Sequence, residues 1–205
     1  MNQVGGKEGG TALMAACGKG RVKVAKHLLK MKGIQVNKAN KNGATPLYVA
    51  CQIGCVAVVK VLFARKEIQI NQADGDGTSP LWITCQNGHV DVVRLLLARK
   101  EIQISQATKD HGYTPLYTTC AQGHVNVVRL LLARKEIQIN RVDKYGATAL
   151  YITCHKGHVD VVRLLLARKE IDISIESREL TPLKIAQQFN YTNIVTLLMQ
   201  HKSAT

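Results

Sequence analysis

Cysteine and histidine are the residues of this chain with the clearest potential for chemistry. Five of the six cysteines recur at intervals of 34, 34, 35 and 34 residues, at Cys17, Cys51, Cys85, Cys120 and Cys154. A catalytic thiol works as one nucleophile beside one base, whereas these thiols return at a nearly constant step. We interpret them as small buried side chains that pack like apolar residues.

The same interval argues against disulfides. Equivalent residues of neighbouring structural units are expected about 8–10 Å apart, the usual distance between packed helices. A disulfide requires Cα atoms within about 7 Å of each other. We therefore expect free thiols and, with them, a reducing intracellular location, either cytoplasmic or nuclear.

Metal binding and catalysis find little support in the sequence. Cys51 and Cys55 form a CxxxC pair, but no second pair of ligands has the spacing of a zinc site. His89, His124 and His158 each follow a glycine, a recurrence that favours a structural role at the start of a helix. Phosphate-binding loops and paired-carboxylate signatures are also absent from the sequence. We expect no enzymatic activity, no cofactor and no bound metal.

Hydropathy argues against insertion into a membrane. No stretch approaches the roughly 20 apolar residues that a membrane-spanning helix requires. The first ten residues, MNQVGGKEGG, lack the apolar core of a signal peptide. Their glycines predict a flexible N-terminus over residues 1–7.

The segments that would position the cysteines and histidines repeat with them. The segment GHVDVVRLLLARKEIQI begins at Gly88 and returns at Gly123 and at Gly157, with a single substitution each time. Self-similarity at a step of about 20 to 50 residues is typical of stacked repeats, in which each unit buries its apolar faces against its neighbours. Such an architecture favours a binding surface over an active site.

Each repeat predicts two helices joined by a glycine turn. In the third repeat, Ser79 is placed to cap a helix and Pro80 to occupy its first turn, so a short helix is expected over about 80–87. Gly88 ends it. A second helix is expected over about 90–99, where polar residues 91, 94 and 99 form one stripe and leave the remaining circumference for packing. The alternation in Ile102-Gln103-Ile104 then predicts a short extended segment.

The repeated segments resemble the sequence pattern of the ankyrin-repeat family over about residues 8–202. The family signature TPLHxA is matched by five segments: TPLYVA from Thr45, SPLWIT from Ser79, TPLYTT from Thr114, TALYIT from Thr148 and TPLKIA from Thr181. The resemblance implies an all-α solenoid of helix-turn-helix units with β-hairpin-like finger loops. The repeats would span about 8–41, 42–75, 76–109, 110–143, 144–177 and 178–202.

The chain departs from the family pattern in three respects. Aromatic residues replace the usual histidine of the signature, and we expect their polar groups to reach a neighbouring carbonyl; they are Tyr48, Trp82, Tyr117 and Tyr151. The 35-residue step predicts an inserted residue near Lys109, at a finger. The last repeat has Arg178, Glu179 and Leu180 in place of a finger glycine and Asn190 at the turn, as expected of a polar cap.

The resemblance implies a scaffold or adaptor that binds a protein partner on its concave face. We expect the chain to be a monomer. Contacts would come from finger tips and from the ends of the first helices. Carried over position by position, the candidates are Lys41, Asn42, Asp76, Thr78, Gln86, Asn87, His111, Tyr113, Gln122, Lys144, Tyr145, His155 and Lys156. Tyr113 and Tyr145 are either exposed interface anchors or side chains that pack on the neighbouring finger.

The charge of the chain supports an alternative function. The formal net charge is +14, and residues 1–41 hold nine Lys or Arg against Glu8 alone. Equivalent positions in successive repeats predict a basic ridge on the convex back, formed by Lys26, Lys60, Arg94, Arg129 and Arg163. Such a ridge would attract nucleic acid, anionic lipid or, in the favoured form, an acidic protein. The competing interpretation is a solvated face with i,i+3 pairs between Asp91 and Arg94 and between Asp160 and Arg163.

Overall fold

The computed structural model describes residues 9–204, so the flexible terminus expected over residues 1–7 lies outside it. The chain divides into two compact units, Met1–Asp110 and His111–Thr205, at the place where the inserted residue near Lys109 is expected. The first unit contains α1 (Ala12–Gly18), α2 (Val22–Leu29), α3 (Pro46–Gln52), α4 (Val56–Phe63), α5 (Pro80–Gln86) and α6 (Val90–Leu97). The second contains α7 (Pro115–Gln122), α8 (Val125–Leu132), α9 (Ala149–Lys156), α10 (Val159–Leu166), α11 (Pro182–Gln188) and α12 (Thr192–Ala204).

Within each unit the helices form two layers. In the first unit, α1, α3 and α5 pack side by side, and α2, α4 and α6 form the layer behind them. In the second, α7, α9 and α11 form one layer, and α8, α10 and α12 form the other. The named elements within residues 9–204 are all helices, and β-structure is limited to isolated bridges such as the one between Ser177 and Leu180, which confirms the all-α fold class.

Side-chain caps start the first helix of each repeat, as the sequence predicts. The Thr45 hydroxyl accepts a hydrogen bond of 3.1 Å from the backbone N–H of Tyr48, and the Ser79 hydroxyl accepts one of 3.1 Å from Trp82. Gly88 ends the third repeat's first helix in the left-handed region, with φ 71°. Asn190 takes the same conformation in the last repeat, where φ is 57°.

The second helix of the third repeat is shorter than predicted, because it ends at Leu97 rather than at Arg99. The extended segment predicted after it forms no strand. Backbone hydrogen bonds from Ile102 to Arg99 and from Gln106 to Gln103 instead fold it into turns. The alternation reflects burial, since Ile102 is 8% and Ile104 is 4% exposed.

Asparagine side chains tie the segment after one second helix to its equivalent in the next repeat. Asn71 Nδ2 donates to the carbonyl of Glu101 at 2.7 Å, and Asn71 Oδ1 accepts from the backbone N–H of Gln103 at 2.9 Å. Asn37 and Asn140 each make the same pair of bonds to the repeat that follows them. Each amide therefore bridges two backbone groups that would otherwise need another partner.

The finger loops have the expected hairpin-like form. The backbone N–H of Asp74 donates to the Thr78 carbonyl at 3.1 Å, and that of Gly77 returns to the Asp74 carbonyl at 3.1 Å. Neighbouring fingers are joined as well, since the Gly75 N–H donates to the Asn42 carbonyl at 2.8 Å. These bonds hold the finger tips in fixed positions.

The repeated cysteines lie in the core. All five are fully buried with free thiols; they are Cys17, Cys51, Cys85, Cys120 and Cys154. Burial raises the pKa of Cys17 and Cys51 to about 12, so their thiols are protonated at neutral pH. The prediction of buried thiols that pack like apolar residues is confirmed.

Candidate functional site

The histidines that follow the turn glycines have a structural role, as predicted. His89 Nε2 lies 3.0 Å from the carbonyl oxygen of Gln52, and His158 Nε2 lies 3.2 Å from that of Ala121. The rings fill the space beside the turn glycines of the preceding repeat. A Cβ placed on Gly54 would lie 2.5 Å from His89 Nδ1. Among residues 9–204, His, Cys, Asp and Glu form no group of three or more that is arranged to hold a metal ion.

Two of the signature tyrosines, Tyr48 and Tyr117, bind the next finger through a carboxylate and not, as expected, through a carbonyl. The phenol of Tyr48 hydrogen-bonds to the carboxylate of Asp74, and the phenol of Tyr117 hydrogen-bonds to that of Asp143. Burial first, and then the nearby carboxylate, raises the pKa of both phenols. Tyr151 hydrogen-bonds to Ser177 in the equivalent place. The carboxylates are reached because the finger turns use Asp at this position.

Asp143 is the most fully buried of the acidic residues and is well supplied with donors. It is 6% exposed. One of its oxygens accepts hydrogen bonds of 2.8 Å from the backbone N–H groups of both Tyr145 and Ala147. With the Tyr117 phenol as a further donor, the carboxylate fixes a finger and a first helix to each other.

A groove of about 220 Å³ opens around these side chains in the second unit. We call it the tyrosine groove; it is lined by Tyr113, Tyr117, Asp143, Tyr145, Ala147, Tyr151, Ile152, His155, Ser177 and Arg178. Fingers supply Tyr113, Tyr145 and Arg178, while α7 supplies Tyr117 and α9 supplies Tyr151 and His155.

The aromatic rings of the tyrosine groove stack on one another. The ring centroids of Tyr113 and Tyr117 are 4.5 Å apart with an angle of 6° between planes, and His111 stacks on Tyr113 at 5.1 Å. Tyr113 is half-buried in this stack, as the packing interpretation expects. Tyr145 is 42% exposed, and its ring lies 5.1 Å from both Lys144 Nζ and the Arg178 guanidinium carbon.

His155 brings an unusual polar atom to the same groove. Its Nδ1 is buried and has no hydrogen-bond partner within the part of the chain that the structure describes. The Phe189 ring meets the imidazole edge-on at 4.9 Å. Burial, and next the charge of Lys156, lowers the pKa of His155, which keeps the ring neutral at pH 7.

Five of the sequence-predicted candidates converge on the tyrosine groove. The groove is lined by Tyr113, Tyr145 and His155. Its rings are contacted by His111 and Lys144. Gln122 and Lys156 are exposed at the ends of α7 and α9. Sequence reasoning missed Asp143 and assigned Arg178 only to a terminal cap.

The candidates of the first unit are more dispersed. Lys41, Asn42 and Asp76 line a groove of about 630 Å³ beside Tyr48. Thr78 is 7% exposed and so offers little surface to a partner. The other two lie at the end of α5: Gln86 is half-buried, and Asn87 donates a hydrogen bond of 2.9 Å to the Gln52 carbonyl.

The cations expected on the basic ridge are all exposed. They are Lys26, Lys60 and Arg94 in the first unit and Arg129 and Arg163 in the second. Neither of the expected i,i+3 pairs forms within 4 Å: Asp91 does not reach Arg94, and Asp160 does not reach Arg163. Ion pairs form instead after the second helices, as between Arg99 and Glu101 at 2.8 Å.

None of the helices within residues 9–204 combines the length and the apolar character that crossing a bilayer requires.

Comparison with known proteins agrees with the repeat architecture. The family model for ankyrin repeats matches the chain three times, over residues 1–74, 64–143 and 136–205. The crystal structure of EF0377, an ankyrin repeat protein, superposes with a TM-score of 0.85 at 26% identity, covering 92% of this chain and 96% of that one. The human ASB11 ankyrin repeat domain superposes with a TM-score of 0.78 at 26% identity, covering 94% of this chain and 84% of that one. A comparison with curated protein sequences gave no significant match.

These matches confirm the fold class expected from the sequence, an all-α ankyrin-repeat solenoid. Ankyrin repeats are generally protein–protein interaction modules, and their fold is typically non-catalytic. Because the family model covers the whole length, the chain belongs to the ankyrin-repeat family.

Proposed function

We propose that this chain is a non-catalytic scaffold or adaptor that binds a protein partner through the tyrosine groove, on the concave side formed by fingers and first helices. The observation that supports this most is the exposed ring of Tyr145, which lines the groove and is flanked by Lys144 and Arg178. The groove therefore offers an exposed aromatic ring with positive charge beside it.

Rigidity makes the tyrosine groove suitable for recognition. Tyrosine has few rotatable bonds, so a held tyrosine loses little conformational entropy when a partner binds. Tyr113 is already held by its stack on Tyr117, and the Tyr145 finger is held by Asp143. Preorganised side chains of this kind are typical of the few residues that supply most of the free energy of binding.

The charges around the groove favour an acidic partner. Lys144 and Arg178 flank the exposed Tyr145 ring, and the one carboxylate of the lining, Asp143, is buried and already hydrogen-bonded. A carboxylate of the partner would therefore meet cations and not repulsion. The five buried free thiols suit a reducing intracellular compartment, where we place this interaction.

Affinity capture with the whole chain, followed by mass spectrometry, tests this proposal. Tyr145→Ala should weaken capture of the specific partner by tenfold or more, because truncation of an interface anchor costs about 2 kcal/mol or more. Val142→Ala is the matched control, since Val142 is 45% exposed, lies three residues before Tyr145 in the sequence and does not line the groove. If Tyr145→Ala and Val142→Ala capture the partner as well as the unaltered chain does, the groove is not the binding site.

A further inference from the structure

A third groove, of about 360 Å³, lies between α2 and α4 on the layer of second helices. We call it the back groove. Its apolar lining comes from Leu29, Val61 and Ala64. Three ammonium groups surround this lining, those of Lys26, Lys30 and Lys60. The back groove therefore combines an apolar surface with positive charge.

The three lysines are not neutralised by neighbouring carboxylates. All are exposed, and none forms an ion pair with any residue of the described range 9–204. Arg65, at one end of the groove, differs, because its guanidinium donates to the Leu29 carbonyl and pairs with Glu67. The positive potential of the groove thus comes from three lysines that are free to bind an added anion.

The back groove depends on residues that the internal repeats do not share. Position 30 is Lys, whereas its equivalents Ala64 and Ala98 are small and neutral. Position 61 is Val, whereas the equivalent residues are the larger Leu95, Leu130 and Leu164. Lys30 thus adds a cation, and Val61 leaves the groove less filled than a leucine would.

The residue that replaces Leu29 one repeat later shows how such a groove is covered. This residue is Phe63, and the guanidinium carbon of Arg99 lies 5.1 Å from the centre of its ring. At Leu29 the equivalent arginine, Arg65, donates to the backbone carbonyl. Leu29 lines the groove but is only 6% exposed, so most of the accessible apolar surface comes from Val61 and Ala64.

We propose that the back groove binds an acidic segment of another protein, which inserts an apolar side chain between α2 and α4 while its carboxylates pair with Lys26, Lys30 and Lys60. Exposed ion pairs alone contribute little, so the apolar contact supplies the selectivity. A nucleic acid has no apolar side chain to insert, and the groove has no aromatic ring on which a base would stack. This proposal is independent of the tyrosine groove.

Fluorescence anisotropy with the full chain tests the proposal. The probe is a labelled peptide of glutamate and leucine at the spacing of an amphipathic helix. The comparison ligands are a polyglutamate peptide of the same length and single-stranded RNA. We expect the glutamate–leucine peptide to bind at least about tenfold more tightly than polyglutamate, because burying one leucine side chain is sufficient for such a difference.

Two substitutions make the test specific, and both introduce the residue of the internal repeats, which is compatible with the fold. Val61→Leu fills the groove and should lower the affinity for the glutamate–leucine peptide by about tenfold without changing the affinity for polyglutamate. Lys30→Ala should lower the affinity for both peptides several-fold. Arg163→Ala, at an exposed position of the second unit, should leave both affinities unchanged.

The proposal is overturned if RNA or polyglutamate binds as tightly as the glutamate–leucine peptide, because binding would then depend on charge alone. It is also overturned if Val61→Leu leaves the peptide affinity unchanged while circular dichroism shows a native fold. Should Val61→Leu fail to fold, an unchanged affinity in Lys30→Ala has the same consequence.

Discussion

The phenol of Tyr117 donates its hydrogen bond to the carboxylate of Asp143, a residue of the following repeat's finger. Asp143 in turn holds its own finger through two backbone N–H groups. A first helix and the next finger are therefore joined by one chain of hydrogen bonds, beside the groove that we assign to partner binding.

Removing that phenol should destabilise the second unit. Tyr117→Phe keeps the ring stacked on Tyr113 but deprives a buried carboxylate of a donor, which costs about 1–3 kcal/mol. Urea unfolding followed by circular dichroism measures the change. Tyr151→Phe is the control, because the Tyr151 ring is more exposed and its partner Ser177 is uncharged. Equal losses for the two variants would contradict a special role of the Asp143 carboxylate.

Alkaline pH should unfold the chain in a range set by its buried thiols and phenols. Burial raises the pKa of Cys17, Cys51 and Cys120 to about 12 from 9.0, and the pKa of Tyr117 is raised as well. A group whose pKa is raised by folding stabilises the fold fully below its unfolded pKa, and this contribution is lost as pH rises towards the folded value. We expect thermal stability to be lost progressively between about pH 9 and pH 12.

Melting temperatures measured across that range by circular dichroism test the expectation. Cys51→Ala should flatten the pH dependence, since it removes one of the raised thiol pKa values, while lowering stability at pH 7 through the lost packing. A melting temperature that stays constant up to pH 11 would show that the buried thiols do not influence alkaline stability.

The turn glycine of one repeat contacts the histidine of the next, so adding a methyl group to this glycine should strongly destabilise the fold. Gly54 has φ 72°, and a Cβ there would lie 2.5 Å from the His89 ring. Gly54→Ala should therefore cost more than the roughly 1–2 kcal/mol of the left-handed backbone alone. Gly33→Ala is a matched control, because Gly33 also has φ 72° but, apart from its neighbours in the chain, no atom lies within 4 Å of the added Cβ.

Chemical denaturation of both glycine variants separates the steric cost from the backbone cost. The double variant Gly54→Ala/His89→Ala should recover part of the loss by removing the ring. If Gly54→Ala and Gly33→Ala are equally destabilised, the contact with His89 is not energetically important.

The asparagine bridges should contribute to the stability of each unit. Asn71→Ser places at this position the residue that occurs naturally at Ser105 and shortens the side chain, so that its two bonds to Glu101 and Gln103 are lost. Net hydrogen-bond contributions of about 0.5–1.5 kcal/mol each predict a loss of about 1–3 kcal/mol. Asn126→Ser, on an exposed position of α8, should change the free energy of unfolding by less than about 0.5 kcal/mol. Similar values for both substitutions would argue against the bridge.

The sequence by itself determined the repeat, the paired helices and their caps. These features depend on interactions between residues a few positions apart, such as Ser79 with the N–H of Trp82, and on a period that marks buried positions such as Cys51. The sequence predicted the ends of elements less accurately. In the third repeat the second helix ends at Leu97, and the segment after it folds into turns instead of extending.

Only the tertiary structure decided which surface these elements present. Tyr117 reaches Asp143 and not a carbonyl, and Thr78 is buried. Arg94 and Arg163 form no ion pair with Asp91 and Asp160. The bond of Tyr117 depends on a contact between a first helix and the next finger. The size of a single side chain, such as that of Val61, determines how far the groove between two second helices is filled. A repeating pattern predicts that neighbours pack, but the shape and charge left at their surface follow from the particular residues that meet.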